Sequence, residues 1–201
     1  MMFKLGLTGS IGMGKSTTAS IFSEFGCDVW DADAAVHRLY AKDGAAVLPM
    51  SEKLPQVIVE GAVSRAQLRV LISIDPSVLK TIEKIVHPLL VQDRANFVVS
   101  SQSDILVFDI PLLFETGGDA NMDGVACVWT TPKVQRQRVT ERGTMSMEQF
   151  EMIRAKQLPA DEKRDRSDFV IITDTIQHAR VQVQNVLTQI RERMTDARDR
   201  T

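Results

Sequence analysis

Five short, mostly apolar runs punctuate the chain: "FKLGL" (3–7), "CDVWDAD" (27–33), "DILVFDI" (104–110), "GVACVWT" (124–130) and "DFVIIT" (168–173). Each has the length of a strand, and a helical pattern follows each one. After the first run, Ala19, Ile21, Phe22 and Phe25 recur at helical spacing, and Gly26 closes that helix. Strands that alternate with helices predict an α/β fold, a parallel sheet of five strands with helices on both faces.

Two stretches break the rhythm. Residues 36–103 read as wholly helical, with Ser64 as one N-cap and Asp75-Pro76 as an N-cap followed by proline at the first helical position. With eight basic and six acidic residues between 36 and 100, this insert is mildly basic. It reads as an acceptor-binding insert or as a packing module. Residues 131–157 read as two helices joined at Gly143, the first opened by Thr131-Pro132 and the second by a capping box of Ser146 and Gln149. Arg138 and Arg142, four apart, share one helical face. That face is either solvated decoration or part of a mobile lid that brings arginines over a bound phosphate. The charge-alternating tail, 191–200, reads as a fraying helix end.

Composition narrows the function classes. The 201 residues carry a formal charge of −2, with 25 % charged and 44 % hydrophobic residues, so no electrostatic footprint for nucleic acid is present. Cys27 and Cys127 have no metal-ligand spacing and predict two buried, reduced thiols. With no signal peptide pattern and no apolar stretch near membrane-spanning length, the expectation is a cytoplasmic protein without membrane attachment.

The chemistry concentrates in "LTGSIGMGKSTTA" (7–19), where Gly9, Gly14, Lys15 and Ser16 match G-x-x-x-x-G-K-[ST]. Such a loop turns its backbone N–H groups inward around phosphates, which glycine allows because it has no Cβ. Lys15 then reaches the β- and γ-phosphates, the Ser16 hydroxyl sits on Mg²⁺, and the following helix adds the positive end of its dipole. Neither N-K-x-D nor D-x-x-G occurs, which disfavours a guanine-nucleotide switch. The chain is also short for an ATPase motor, and a small-molecule kinase remains. Asp31 and Asp33, two apart at the end of the second strand run, point to one side, where doubly wound sheets bind ligands. A carboxylate there suits an alcohol acceptor, which must lose its proton. Asp33 reads as that general base or as the N-cap of the next helix, and Asp31 as a group that orients Mg²⁺-bound water or as a strand cap. Asp109, ending "ILVFD", reads as the acidic residue behind Mg²⁺ or as a buried structural aspartate.

Taken together, "GLTGSIGMGKST", "DVWDADAAVHRLY", "HPLL", "FDIPLLFE", "QRQRVTERG", "RAKQLPADEK" and "SDFVI" follow the order and spacing of the dephospho-CoA kinase family, which the chain resembles from about Phe3 to beyond Ile172. The resemblance implies a P-loop nucleoside-triphosphate hydrolase fold of the nucleotide-kinase type. It divides the chain into a core (1–35, 104–131 and 158–201), a CoA-binding insert (36–103) and a lid (132–157). It implies transfer of the γ-phosphate of ATP, with Mg²⁺, to the ribose 3′-hydroxyl of dephospho-CoA, the last step of coenzyme A synthesis. By the same resemblance Gly9, Gly12, Met13, Gly14, Lys15, Ser16 and Thr17 hold ATP, while Asp33 is the base. Lys15, Arg138 and Arg142 assist transfer, and Ser16 and Asp109 serve the metal. His87, Pro111, Leu112, Leu113 and Glu115 lie near the acceptor, with a structural turn at His87-Pro88 as the alternative. Gln157 and Lys163 follow the lid pattern. The partner is a small molecule, and a monomer is the default state. Ser10 and Met13 depart from the smaller residues frequent in the family, and Thr173-Asp174 replace an asparagine-containing turn expected near adenine. The rival readings are a shikimate- or gluconate-kinase-like enzyme and a non-catalytic nucleotide-binding module.

Overall fold

The computed structural model of the protein describes residues 2–198. The chain packs as two compact units, Met1–Trp30 with Ser101–Thr201, and Asp31–Ser100. In chain order, β1 (Phe3–Thr8), α1 (Lys15–Glu24) and β2 (Asp28–Asp31) lead into α2 (Ala32–Tyr40) and α3 (Val47–Lys53). A short pair, β3 (Ile58–Val59) and β4 (Ala62–Val63), precedes α4 (Arg65–Ile74) and α5 (Val78–Ser100). The chain then forms β5 (Ile105–Asp109), β6 (Gly124–Trp129), α6 (Pro132–Arg142) and α7 (Met147–Ala155). It ends with α8 (Ala160–Asp165), β7 (Phe169–Ile172) and α9 (Ile176–Arg198). Within the predicted fraying tail, 191–198 are helical, and the remainder lies outside the described residues.

The main sheet is five-stranded and parallel, in the order β2-β5-β1-β6-β7. At its centre, Leu5 of β1 lies opposite Val107 of β5 on one side and Gly124 of β6 on the other. Such a strand must be apolar on both faces, and Leu5 and Leu7 are fully buried. One face packs on α1 and α9 through Ile21, Phe22, Val183, Leu187 and Ile190. The other carries Leu113, Phe114 and Val125, with Leu158 against them. The carboxyl ends of β1, β5 and β6 therefore open onto one rim, which is where open α/β sheets bind ligands.

The second unit has its own core, in which Leu39 and Tyr40 meet Met50, Leu68, Ile82 and Val86. Two expectations for this region need correction. It is not wholly helical: β3 and β4 pair antiparallel around Glu60 and Gly61, whose φ values of 50° and 80° suit a two-residue hairpin turn. Strands this short leave no alternation to read. Asp75 caps the turn that leads through Pro76 into α5, as expected: its Oδ1 accepts from Ser77 N at 2.9 Å and its carbonyl from Val78 N at 3.2 Å, where α5 begins. His87-Pro88 is not a turn but lies inside α5, a 23-residue helix long enough to carry an internal proline. Ser64 caps α4 as expected, accepting from Gln67 N at 3.3 Å.

The second strand run is also shorter than its sequence suggests. It ends at Asp31, whose Oδ1 accepts from Ala34 N at 2.9 Å and so caps α2. Asp33 is thus a helical residue in the first turn of α2, not a strand residue two positions beyond Asp31 on the same side. The capping carboxylate switches the backbone from extended to helical two residues early.

Both cysteines are free and buried, as expected. Burial pushes the Cys27 thiol up to about 11, against the pull of Arg191, and the Cys127 thiol likewise to about 11. At pH 8 a thiol of that pKa holds only about one part in a thousand of the reactive thiolate. We therefore expect the folded protein to resist iodoacetamide at pH 8 and to gain two adducts by mass spectrometry once urea is added. Free-thiol reactivity at either position without urea would contradict this packing.

Candidate active site

β1 ends at Thr8 and α1 starts at Lys15, and the loop between them runs through Gly9, Gly12, Met13 and Gly14. Two glycines are required by contact as well as by conformation. At Gly12, with φ 77°, a Cβ would lie 2.8 Å from Val139 Cγ2 of α6; at Gly14, with φ 94°, it would lie 3.2 Å from Thr173 Oγ1. Gly14 is also the N-cap of α1 and supplies no side-chain acceptor. The first N–H groups of α1 are consequently left for an external acceptor, and the helix dipole makes an anion the favoured one. Met13 belongs to the loop through its backbone alone. Its side chain is buried, and its Sδ accepts from Thr130 N at 3.3 Å.

Lys15, the first residue of α1, sends its Nζ to Asp109 Oδ1 at the end of β5. The structure thus brings together two predicted site residues from distant parts of the sequence. The Asp109 side chain is 2 % exposed, so its charge requires a cation close by. Ser16 and Thr17, next along α1, are exposed. Among the described residues no group of three or more His, Cys, Asp or Glu could hold a metal on its own.

Arg138 and Arg142 of α6 line a cavity of about 260 Å³ with Gly14, Thr17, Thr173 and Ile176. Thr173 joins loop and arginine. Its hydroxyl donates to Met13 O at 2.7 Å and accepts from Arg138 Nη1 at 3.0 Å, while Arg138 Nη2 donates to the Thr173 carbonyl. A hydroxyl can do both, having one proton and two lone pairs. The segment that departs from the expected asparagine turn is therefore part of this cavity. In the sequence Thr173 is marked only by its place after the last strand and by its departure from the asparagine turn expected there.

The remaining candidates are not among the residues that line this cavity. Asp33 lies in the Asp31–Ser100 unit, exposed at the start of α2 and relieved of capping by Asp31. His87 is exposed on α5 of the same unit. In the 111–115 segment, Leu112 is 42 % exposed, but Leu113 is fully buried in the core. Pro111 O accepts from Thr8 Oγ1 at 3.2 Å and from Lys163 Nζ at 2.8 Å. Glu115 Oε1 accepts from Leu158 N at 2.9 Å and pairs with Lys163 Nζ at 2.7 Å. Leu113 is thus a core residue, and Glu115 pairs internally through Oε1, while its buried Oε2 has no hydrogen-bond partner among the described residues. Lys163, expected with the lid, is wholly buried and ties the end of β5 to α8.

The strand order, the glycine loop and the lysine with a carboxylate at the next strand's end define a P-loop kinase fold. Shikimate kinase from Acinetobacter baumannii, in complex with shikimate, shares this fold with a TM-score of 0.53 at 15 % identity, over 96 % of this chain and 95 % of that one. The sequence model for dephospho-CoA kinase matches residues 3–178. A dephospho-CoA kinase of Ruegeria pomeroyi is 63 % identical over 191 residues, covering 95 % of this chain and 97 % of that protein. The crystal structure of TT1252 from Thermus thermophilus superposes with a TM-score of 0.84 at 27 % identity, covering 94 % of this chain and 97 % of that one. The chain belongs to the dephospho-CoA kinase family.

The buried Lys163–Glu115 pair is a structural bracket, and its loss should register in stability. Lys163→Met leaves a largely buried carboxylate without its cation, and we expect a loss of about 3–5 kcal/mol in urea unfolding. A loss below about 1 kcal/mol would mean that water reaches Glu115 freely.

Proposed function

We propose that this protein transfers the γ-phosphoryl group of ATP to the ribose 3′-hydroxyl of dephospho-CoA, giving coenzyme A and ADP. As a dephospho-CoA kinase family member it phosphorylates dephospho-CoA with ATP in coenzyme A biosynthesis. The observation that carries the reading at the site is the uncapped, left-handed start of α1 beside Lys15 and two arginines, three cations around one anion-binding helix end.

In this reading the loop from Gly12 to Thr17 holds the polyphosphate through the N–H groups of Gly12, Gly14, Lys15, Ser16 and Thr17, the Met13 N–H being bonded to Ser10 O, and Lys15 exchanges Asp109 for phosphate oxygens. Arg138 and Arg142 meet the charge that builds on the transferring group, a role for which a positioned arginine is worth about 10³ to 10⁵ in rate. Residues 132–157 serve as the lid, 36–103 as the acceptor-binding insert, and the rest as the nucleotide-binding core. His87 and the segment from Pro111 to Glu115 are the candidates for contact with dephospho-CoA. Asp33, exposed and free of capping duty, takes the proton of the 3′-hydroxyl as its oxygen attacks phosphorus.

Ser16 and Asp109 suit Mg²⁺, since one hydroxyl and one carboxylate match an ion that keeps most of its ligands as water and phosphate oxygen. Bound there, the ion neutralises charge on the β- and γ-phosphates. No described helix is long and apolar enough to cross a membrane. In this reading the working form is a cytoplasmic monomer that acts on a small molecule, and the formal charge of −2 lends no support to a nucleic-acid partner.

The test measures ADP release with ATP, Mg²⁺ and either dephospho-CoA or shikimate, for the native protein and Asp33→Asn. We expect turnover with dephospho-CoA alone, lowered by roughly 10² to 10⁴ in the variant with ATP binding retained. Turnover of shikimate would overturn the substrate, and an unimpaired Asp33→Asn would overturn the base.

A further inference from the structure

We propose that Gln135 and Gln157 are positioning residues that lock the phosphate loop in its ATP-binding shape by holding both main-chain polar groups of Ile11. The proposal rests on the loop being the ATP site. Ser10 to Met13 forms a turn closed by Met13 N donating to Ser10 O at 3.1 Å. Gly12, the third residue, has φ 77°, the value a type II turn requires there. The peptide between Ile11 and Gly12 is the unit that flips when such a turn changes type. It is flanked by glycines at 9, 12 and 14, so the backbone alone offers little resistance to a flip.

Two side chains supply that resistance, Gln135 on this peptide through the Ile11 carbonyl and Gln157 on the peptide before it through the Ile11 N–H. Gln157 Oε1 accepts from Ile11 N at 3.0 Å, and Gln135 Nε2 donates to Ile11 O at 2.6 Å. The atoms are assigned by chemistry, because an amide N–H faces only an acceptor and a carbonyl only a donor. Gln135 is 2 % exposed and rides on α6, and a Cβ on Gly12 would lie 3.3 Å from its Cγ. Gln157 follows the end of α7 by two residues. The grip therefore comes from both legs of the α6–α7 hairpin. Its effect on the loop is twofold. The Ile11 carbonyl, which would repel phosphate oxygens, is turned onto a donor. The Ile11 N–H is spent, as the Met13 N–H is on Ser10 O, which leaves the N–H groups of Gly12 and of Gly14 onward as the donors for phosphate.

The two glutamines use opposite ends of the same amide, which separates their variants. Glutamate keeps the acceptor that Gln157 needs and lacks the donor that Gln135 needs. Kinetics with ATP, Mg²⁺ and dephospho-CoA, and calorimetric titration with ATP, are measured for Gln135→Leu, Gln157→Leu, Gln135→Glu and Gln157→Glu. Both leucine variants should raise KM and Kd for ATP roughly three- to tenfold, the weight of one unmade buried hydrogen bond, with KM for dephospho-CoA unchanged. Gln157→Glu should restore most of the loss, and Gln135→Glu none.

A role in stability alone would lower the active fraction and leave KM for ATP unmoved, and that result overturns the proposal. Equal behaviour of the two glutamate variants overturns it as well. Should the leucine variants fail to fold, the contrast between the glutamate variants decides by itself. Native protein that binds ATP without phosphorylating dephospho-CoA would overturn the proposed reaction, while the glutamine contrast would still be read in the titrations.

Discussion

Hydrogen-bond donors can hold a polyphosphate only if they have no partner of their own, and a helix end provides such donors when nothing caps it. α1 begins on a glycine in the left-handed region with no side-chain acceptor, an arrangement that stabilises the free protein less than a serine or aspartate cap would. Much of the nucleotide-binding unit secures that end. β1 is held between two parallel neighbours, α1 is packed against α9, and the loop lies under α6. Rigid surroundings keep the uncapped groups aimed at the rim, where the energy left unspent in folding is recovered on binding an anion.

Two of the three cations around this end are held on protein oxygen. Lys15 rests on Asp109, and Arg138 on the hydroxyl and carbonyl of Thr173. A buried positive charge without such partners would be costly. Partners of this kind also keep the side chains within reach of a phosphate. In the proposed reaction binding is then an exchange of partners, with little new ordering of long side chains, which is the less costly way to assemble a charged site.

Much of this was legible in the sequence, for reasons that can be named. Phe3 to Leu7, a glycine loop and a run with helical spacing are all local signals, and the structure reproduces them nearly residue for residue. The capping box at Ser146 and Gln149 is local in the same way, and both of its hydrogen bonds are present. What the sequence hid is contact between distant residues. Nothing in "VFDIPLLFE" reveals that Leu113 faces the core, or that Glu115 meets a lysine 48 positions later. Gln135 and Gln157 look like ordinary surface amides until the fold brings both to Ile11. The misplacement of Asp33 has a different cause. Asp31 is a strand residue by pattern and a cap by hydrogen bond, and one carboxylate shifted the boundary.

Amide NMR of ¹⁵N-labelled protein, titrated with a non-hydrolysable ATP analogue and Mg²⁺, probes the uncapped helix end most directly. The account predicts that the largest shifts fall on the backbone N–H groups of Gly12, Gly14, Lys15, Ser16 and Thr17, with Ile11 changing little. Shifts that leave these residues unmoved, or that concentrate away from the β1–α1 loop, would contradict it.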